Sequence, residues 1–214
     1  MKLTIISDTH LYQGKLTTQI KEARPDVLVH CGDMTDSGSR EELGLVAEWF
    51  GMLKRKEYVG EVVLIAGNHD RALQTTGAEG LFLKHNLYYL EDSEVTLHGF
   101  KFYGSPWTHN LKDWGFQYSH EQGPGPAIWN QIPDDTDILV THSPPQGIRA
   151  FDERDWGCPH LLARVKTVKP RAHLFGHVHG KYGITHTQDT LFVNASSWTG
   201  QQRVMNAPTT LEFE

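Results

Sequence analysis

The chain has 214 residues, 38% of them hydrophobic and 21% charged, a composition typical of a globular protein and not of a disordered one. Asp and Glu outnumber Lys and Arg by 26 to 20, and the net charge of −6 argues against sequence-independent nucleic-acid binding, which needs a basic face. Two cysteines exclude a disulfide framework and a zinc site of four thiolates. The 13 histidines instead favour metal binding or acid–base chemistry.

Short apolar strands alternate with helical patterns in the first half of the chain. The patterns predict strands over Leu3–Ile6, Val27–His30 and Val62–Ile65, a helix over Leu16–Ala23, and a helix capped by Ser39 that runs to about Leu53. Because the strands are almost wholly apolar, we expect a sheet that is covered on both faces.

The second half begins with a predicted hairpin about His98-Gly99, and a loop rich in Gly, Trp and Pro follows from about Ser105 to Pro126. Later elements are predicted at Ile138–Val140, Ala172–Phe175, Tyr182–Ile184, Leu191–Val193 and Thr210–Phe213 (strands) and at Leu161–Val168 (helix). No repeat or composition break divides the chain. We therefore expect one α/β domain over residues 1–214, with two sheets face to face and flanking helices.

Polar clusters follow five of the predicted strands. They are Asp8-Thr9-His10, Gly32-Asp33-Met34-Thr35-Asp36, Gly67-Asn68-His69-Asp70, Thr141-His142-Ser143 and Gly176-His177-Val178-His179. Ligands of open α/β sheets bind beyond the carboxyl ends of the strands, so we expect the clusters to converge there. Their donors are carboxylates, imidazoles and an amide oxygen, which favour Mn, Fe, Co, Ni or Zn in an open coordination sphere over structural zinc.

These motifs, in this order, resemble the complete motif set of the calcineurin-like metallophosphoesterases, over about residues 1–200. Segments such as Gly104-Ser105-Pro106-Trp107 and Thr141-His142-Ser143-Pro144-Pro145 are similar to the metallophosphoesterase-domain-containing branch, also called the 239 or brain-type family. The resemblance implies a four-layer α/β sandwich with two mixed sheets. It also implies two divalent metal ions, for which manganese is favoured.

The resemblance carries the metal ligands over residue by residue. One ion would be held by Asp8, His10, Asp33 and His179, and the other by Asp33, Asn68, His142 and His177, so that Asp33 is shared. The implied reaction is hydrolysis of a small phosphodiester by a metal-bound hydroxide, with cyclic nucleotides of the 2′,3′-cyclic AMP type favoured.

Other residues are assigned to the substrate. His69 is our candidate to bind the phosphate and protonate the leaving oxygen, and the resemblance implies that Asp36 orients it. Trp107, Trp114 and Phe116 form either a stacking wall for a nucleobase or a packed lid, and Arg149 is a candidate phosphate contact.

Two alternatives stay open. The chain could be a phosphomonoesterase or protein phosphatase of the same fold, or a metal-binding scaffold with little turnover. No apolar run approaches the ~18–20 residues of a membrane span. We therefore expect a cytoplasmic monomer or homodimer that binds a small-molecule phosphodiester, without membrane association and without sequence-specific nucleic-acid binding.

Overall fold

The protein is represented by a computed structural model that describes residues 1–119, 123, 125–151, 154–199 and 205–214. The strands are β1 (Lys2–Ile6), β2 (Val27–Cys31), β3 (Glu61–Ile65), β4 (Tyr88–Tyr89), β5 (Ser93–Leu97), β6 (Phe100–Ser105), β7 (Thr108–His109), β8 (Gln117–Tyr118), β9 (Ile138–Thr141), β10 (Ala172–Phe175), β11 (Gly183–His186), β12 (Leu191–Asn194) and β13 (Thr209–Glu212). The helices are α1 (Thr17–Ala23), α2 (Arg40–Arg55), α3 (Arg71–Thr76), α4 (Gly80–Leu83), α5 (Gly125–Trp129) and α6 (Pro159–Val168), with 3₁₀ turns at Gln13–Leu16 and His179–Lys181.

Two mixed sheets contain most of these strands. The first has the strand order β13-β1-β2-β3-β4, in which β1 to β4 are parallel and β13 is antiparallel to β1. The second has the order β11-β12-β10-β9-β6-β5, with parallel pairing from β12 to β6 and an antiparallel strand at each edge. The parallel strands of each sheet therefore end at one edge.

The sheets pack face to face because alternate strand residues point to opposite sides. Leu3 and Ile5 of β1 lie in the core between the sheets with Val140 of β9 and Leu174 of β10. Their neighbour Ile6 points the other way, into a second core beneath α2. A third core lies between the second sheet and α5 and α6. The order helix, sheet, sheet, helix confirms the predicted four-layer sandwich.

Helix α2 shows how local sequence sets these layers. The side chain of Ser39 accepts a hydrogen bond from the Glu42 amide at 3.2 Å and caps the helix, as predicted. Apolar residues recur at helical spacing and face the first sheet. They are Leu43, Val46, Ala47, Phe50 and Leu53, all buried.

The main predicted strands and helices are present, with ends that shift by one or two residues. The region predicted as a loop from about Ser105 to Pro126 contains β7, β8 and the first residues of α5, although positions 120–122 and 124 lie outside the described residues. Across the ranges described above, no helix is long and apolar enough to cross a membrane.

Candidate metal centre

The five predicted clusters meet beyond the carboxyl ends of the parallel strands. Four of the predicted ligands, Asp8, His10, Asp33 and His177, have positive φ angles of 51°, 42°, 55° and 67°. Non-glycine residues rarely adopt this conformation, which costs free energy and is concentrated at functional sites. Main-chain hydrogen bonds between the loops after β1 and β2 hold it in place, from the Asp8 amide to the Gly32 carbonyl and from the His10 amide to the Asp33 carbonyl.

Two glycines allow the loops to approach so closely. A Cβ atom on Gly67 would collide with the main chain and carboxylate of Asp33 and would lie 2.8 Å from the His142 ring. A Cβ atom on Gly176 would collide with Ser7 and with the carboxylate of Asp8. These positions therefore accept only glycine, because Ser7 and the predicted ligands occupy the space.

The first ligand cluster comprises Asp8, His10 and His179, whose donor atoms all lie within 4.8 Å of one another. His179 Nε2 lies 3.4 Å from Asp8 Oδ1, and both Asp8 oxygens accept from the His177 amide at 3.1 Å. Burial alone would raise the pKa of Asp8, but the hydrogen bond and charge of His179 outweigh it and hold that pKa well below its ordinary value.

His10 supplies the clearest sign that this cluster fits a cation. Its Nδ1 donates to the Thr35 carbonyl at 3.1 Å, which leaves a lone pair on Nε2. That Nε2 is buried and has no hydrogen-bond partner in the described chain. A buried nitrogen without a partner is costly, whereas a metal ion would satisfy it, and the carbonyl contact fixes the tautomer that a metal ligand needs.

The second cluster comprises Asp33, His142 and His177. His142 Nδ1 donates to the Cys31 carbonyl at 2.8 Å, and His142 Nε2 lies 3.2 Å from Asp33 Oδ2 and 3.1 Å from Asn68 Oδ1. Burial lowers the pKa of His142, but the charge of Asp33 outweighs it and raises that pKa to about 9. Two oxygens around one nitrogen thus require positive charge between them, from a proton or from a metal ion.

Asp33 lies between the two ligand clusters. A third triad of donors within 4.8 Å contains His10, Asp33 and His69, and it joins the first cluster to the second. Asp33 Oδ1 also accepts from the His69 amide at 2.8 Å. Burial opposes ionisation, yet the charge of His142 keeps the pKa of Asp33 well below its ordinary value. The predicted ligands are therefore brought together, and Asp33 lies between the two clusters.

His69 lies at this centre, but the group that orients its ring differs from the expected one. Its Nδ1 donates to the main-chain carbonyl of Asp36 at 2.7 Å, whereas the Asp36 side chain is exposed. The carboxylate of Glu42 accepts from the amides of Asp36, Ser37 and Gly38 and fixes this loop. The orienting group is thus a carbonyl, which the sequence motif alone does not specify.

An open cleft of about 310 Å³ lies against the centre. Its lining includes Asn68, His69, His177 and His179 together with Leu111, Trp114 and Trp156. Trp114 is 42% exposed, and its ring centroid lies 4.3 Å from that of His69. Trp156 lies beyond His177, with ring centroids 6.0 Å apart. Of the predicted aromatic wall, Trp114 alone lines this cleft.

The structure corrects the other three substrate assignments. Phe116 is fully buried in the core under α2, and Trp107 packs on Phe116 and donates from Nε1 to Asp92 at 2.7 Å. Arg149 donates to the carbonyls of Lys181, Tyr182 and Ile184 and to the Thr185 hydroxyl. These contacts occupy the guanidinium, so Arg149 holds the chain before β11 and does not face the cleft.

Two residues at the site, Asp70 and Trp156, were not predicted from the sequence. Asp70 is buried and accepts hydrogen bonds from the Gly67, Met34 and Thr35 amides and from the Thr35 hydroxyl. Its place in the Gly67–Asp70 cluster was a usable signal, because a buried carboxylate in a turn needs such donors. Trp156 has no motif around it, and no local signal marks it.

Comparison with known proteins shows the family of the chain. A family model described as calcineurin-like phosphoesterase matches residues 1–181. Human metallophosphoesterase domain-containing protein 1 is 35% identical, with 99% of this chain and 71% of the human protein covered. A UPF0046 protein of Caenorhabditis elegans is 32% identical, with 97% of this chain and 73% of its own covered.

Two solved structures share the fold at low sequence identity. The TT1561 protein of Thermus thermophilus superposes with a TM-score of 0.64 at 13% identity, over 90% of this chain and 88% of its own. An archaeal phosphodiesterase superposes with a TM-score of 0.57 at 16% identity, over 99% of this chain and 93% of its own. From its sequence match and its Asp and His clusters, the chain belongs to the calcineurin-like phosphoesterase family and is a metal-binding hydrolase of phosphoric esters.

Proposed function

We propose that the protein is a dinuclear phosphodiesterase that hydrolyses small phosphodiesters, with 2′,3′-cyclic nucleotides as favoured substrates. The observation that carries the proposal is a pair of ligand clusters beside an aromatic cleft, joined by a third triad that contains His10 and Asp33. Asp8, His10, Asp33 and His179 would hold one ion, and Asp33, Asn68, His142 and His177 the other. The archaeal protein of the same fold, called a phosphodiesterase, supports the same activity.

The charge of the cleft favours a diester over a monoester. Two divalent ions would outweigh the negative charges of Asp8 and Asp33 and make the centre attractive to phosphate. No Lys or Arg is among the described residues that line the cleft. A monoester dianion would gain from such cations, whereas a diester carries a single negative charge and needs fewer of them.

The metal ions, His69 and Trp114 have separate roles in the proposed hydrolysis. Bound divalent ions supply Lewis acidity, which activates water and neutralises charge on the phosphate oxygens. His69 keeps its Nδ1 proton on the Asp36 carbonyl, so its Nε2 is the atom available to exchange a proton. As the new bond from water to phosphorus forms and the ester P–O bond breaks, the doubly protonated form of His69 gives its Nε2 proton to the leaving oxygen and keeps its Nδ1 proton, while the attacking water releases a proton to solvent. Trp114 would stack on the nucleobase.

A hydrolysis panel tests the proposal. The metal-reconstituted protein, and the same protein in EDTA, are assayed on bis-p-nitrophenyl phosphate, p-nitrophenyl phosphate, 2′,3′-cyclic AMP and 3′,5′-cyclic AMP. We expect metal-dependent turnover, with the diesters faster than the monoester and 2′,3′-cyclic AMP the better nucleotide. Faster turnover of p-nitrophenyl phosphate than of every diester would establish the monoesterase alternative. No turnover of any substrate by the metal-loaded protein would establish the scaffold alternative.

A further inference from the structure

A second cavity adjoins the first at the metal centre. Its volume is about 680 Å³, and its lining comprises His10, Leu11, Tyr12, Asp36, His69, His179 and Trp198. His69 and His179 line both cavities, so the centre lies where the two meet. Both volumes fall within the range of about 300–1,000 Å³ that small-molecule sites occupy. We call the cavity with Trp114 the first compartment and this one the second compartment.

The second compartment has an aromatic wall of its own. The rings of Tyr12 and Trp198 lie 5.3 Å apart at 38° to each other, and Trp198 reaches the ligand His10 at 5.9 Å. Tyr12 is 40% exposed although it is a large aromatic residue. Each compartment thus offers an accessible indole close to the metal ligands, which is the type of surface on which nucleobases stack.

We propose that the second compartment binds the second ester substituent of a linear phosphodiester, and that the substrate class includes dinucleoside monophosphates. The inference rests on the proposed phosphodiesterase function and extends its substrates from cyclic to linear diesters. A cyclic nucleotide presents one nucleoside and fills one compartment. A dinucleoside monophosphate places its phosphate at the centre and one nucleoside in each compartment.

The polar groups of the second compartment favour a neutral nucleoside over a further phosphate. The exposed carboxylate of Asp36 lies in its wall, and no Lys or Arg is among the described lining residues. The ammonium of Lys15 lies over the Tyr12 ring, 5.0 Å from its centroid, which leaves Trp198 as the stacking surface. A carboxylate accepts hydrogen bonds from ribose hydroxyls and repels a terminal phosphate.

The reaction is a simple hydrolysis. A water oxygen forms a bond to phosphorus, the ester bond from phosphorus to one nucleoside oxygen breaks, and that oxygen takes one proton. The products are one nucleoside and one nucleoside monophosphate. No oxidant, reductant or further reactant is needed.

The test compares Trp198→Ala with wild type on a large and on a small diester. The large one is adenylyl-(3′,5′)-adenosine, and the small one is methyl p-nitrophenyl phosphate, whose methyl ester cannot reach Trp198. We expect Trp198→Ala to raise KM for adenylyl-(3′,5′)-adenosine about tenfold, equivalent to about 1.4 kcal/mol. The KM for the small diester should not change. Trp198→Phe should restore most of the affinity. The control is Tyr88→Ala, which lies on an exposed part of β4 away from both compartments. It should change KM for neither substrate.

A binding measurement makes the test independent of turnover. The Kd of adenylyl-(3′,5′)-adenosine is measured by calorimetry on the metal-loaded His69→Ala protein, with and without Trp198→Ala. An unchanged Kd, or equal effects of Trp198→Ala on the large and the small diester, would overturn the assignment of the second compartment. If neither diester is hydrolysed by wild type, the proposed function fails, and the calorimetric result still decides whether the compartment binds a nucleoside.

Discussion

Asp33 is the residue predicted to bind both metal ions. Its Oδ2 lies 3.2 Å from His142 Nε2, its Oδ1 accepts from the His69 amide, and it forms a triad with His10 and His69. Asp33→Ala should therefore remove more metal than Asp8→Ala, because the loss affects both ions. Elemental analysis of each variant after identical Mn²⁺ reconstitution measures this difference. Equal or greater loss in Asp8→Ala would show that Asp33 is not shared.

His69 should be needed for turnover and dispensable for metal binding. We expect His69→Ala to lower kcat by roughly 10²–10⁴-fold, as for loss of a general acid. The loss should be smaller with a p-nitrophenol leaving group, which needs little protonation, than with a nucleoside. Equal losses on both leaving groups would point to phosphate binding instead of acid catalysis, and wild-type rates on both would remove His69 from the mechanism.

Asp36 provides the matched comparison for His69. Because the main-chain carbonyl of Asp36 orients His69, Asp36→Ala should keep the imidazole in place and change kcat for bis-p-nitrophenyl phosphate by less than about threefold. Steady-state kinetics on this small diester isolate the effect from any contact with a nucleoside. A loss as large as that of His69→Ala would mean that the Asp36 carboxylate itself acts, as the family resemblance implies.

At the level of elements, Asp70 joins the loops that follow β2 and β3. Its carboxylate accepts from Met34 and Thr35 on one loop and from Gly67 on the other. Asp70→Asn would turn an amide donor toward these donors, so we expect a loss of about 2–3 kcal/mol in the free energy of unfolding. Urea denaturation of the apo protein measures it. Asp189→Asn, at an exposed ion pair, is the control, and its free energy of unfolding should stay within about 0.5 kcal/mol of wild type. An equally small effect of Asp70→Asn would contradict its role in joining the two loops.

His173 on β10 makes stability depend on pH. Burial lowers its pKa from 6.5 to about 3, so the folded protein holds it neutral while the unfolded chain takes up a proton below pH 6.5. Its contribution to stability is present above pH 6.5 and falls by about 1.4 kcal/mol per pH unit below it. His173→Gln should therefore reduce the loss of stability between pH 7 and pH 5 by about 2 kcal/mol.

Urea denaturation at the two pH values measures this change. The exposed His186 on β11 provides the control, since His186→Gln should leave the pH dependence as in wild type. An unchanged pH dependence in His173→Gln would contradict the burial of a neutral imidazole at this position.

The elements that could be predicted are those whose signal is local. A few neighbouring residues are enough to identify the apolar strands β1, β2 and β3 and the capped, periodic helix α2. Strands β7 and β8 were not predicted, because each has two residues and depends on its pairing with the other. Phe116 was assigned to the substrate because it stands among loop residues, yet it fills the core beneath α2.

At the scale of the whole molecule, the fold makes one site out of distant segments. Asp8 and His177 are 169 positions apart and are joined by the hydrogen bonds between the His177 amide and the Asp8 carboxylate. The convergence of the candidate ligands could be predicted because their residue types and their places after strands are visible in the sequence. Trp156 and Trp198 could not be predicted, because no motif surrounds them. Only the tertiary structure brings them to the centre.

The number of divalent ions bound per chain tests the central claim most directly, since the proposed function requires two ions with Asp33 between them. The purified protein is stripped with a chelator, reconstituted with excess Mn²⁺, freed of unbound metal and measured by elemental analysis. We predict two ions per chain, with phosphodiester hydrolysis lost on chelation and regained on reconstitution. One ion or none in folded, reconstituted protein would contradict a dinuclear phosphodiesterase.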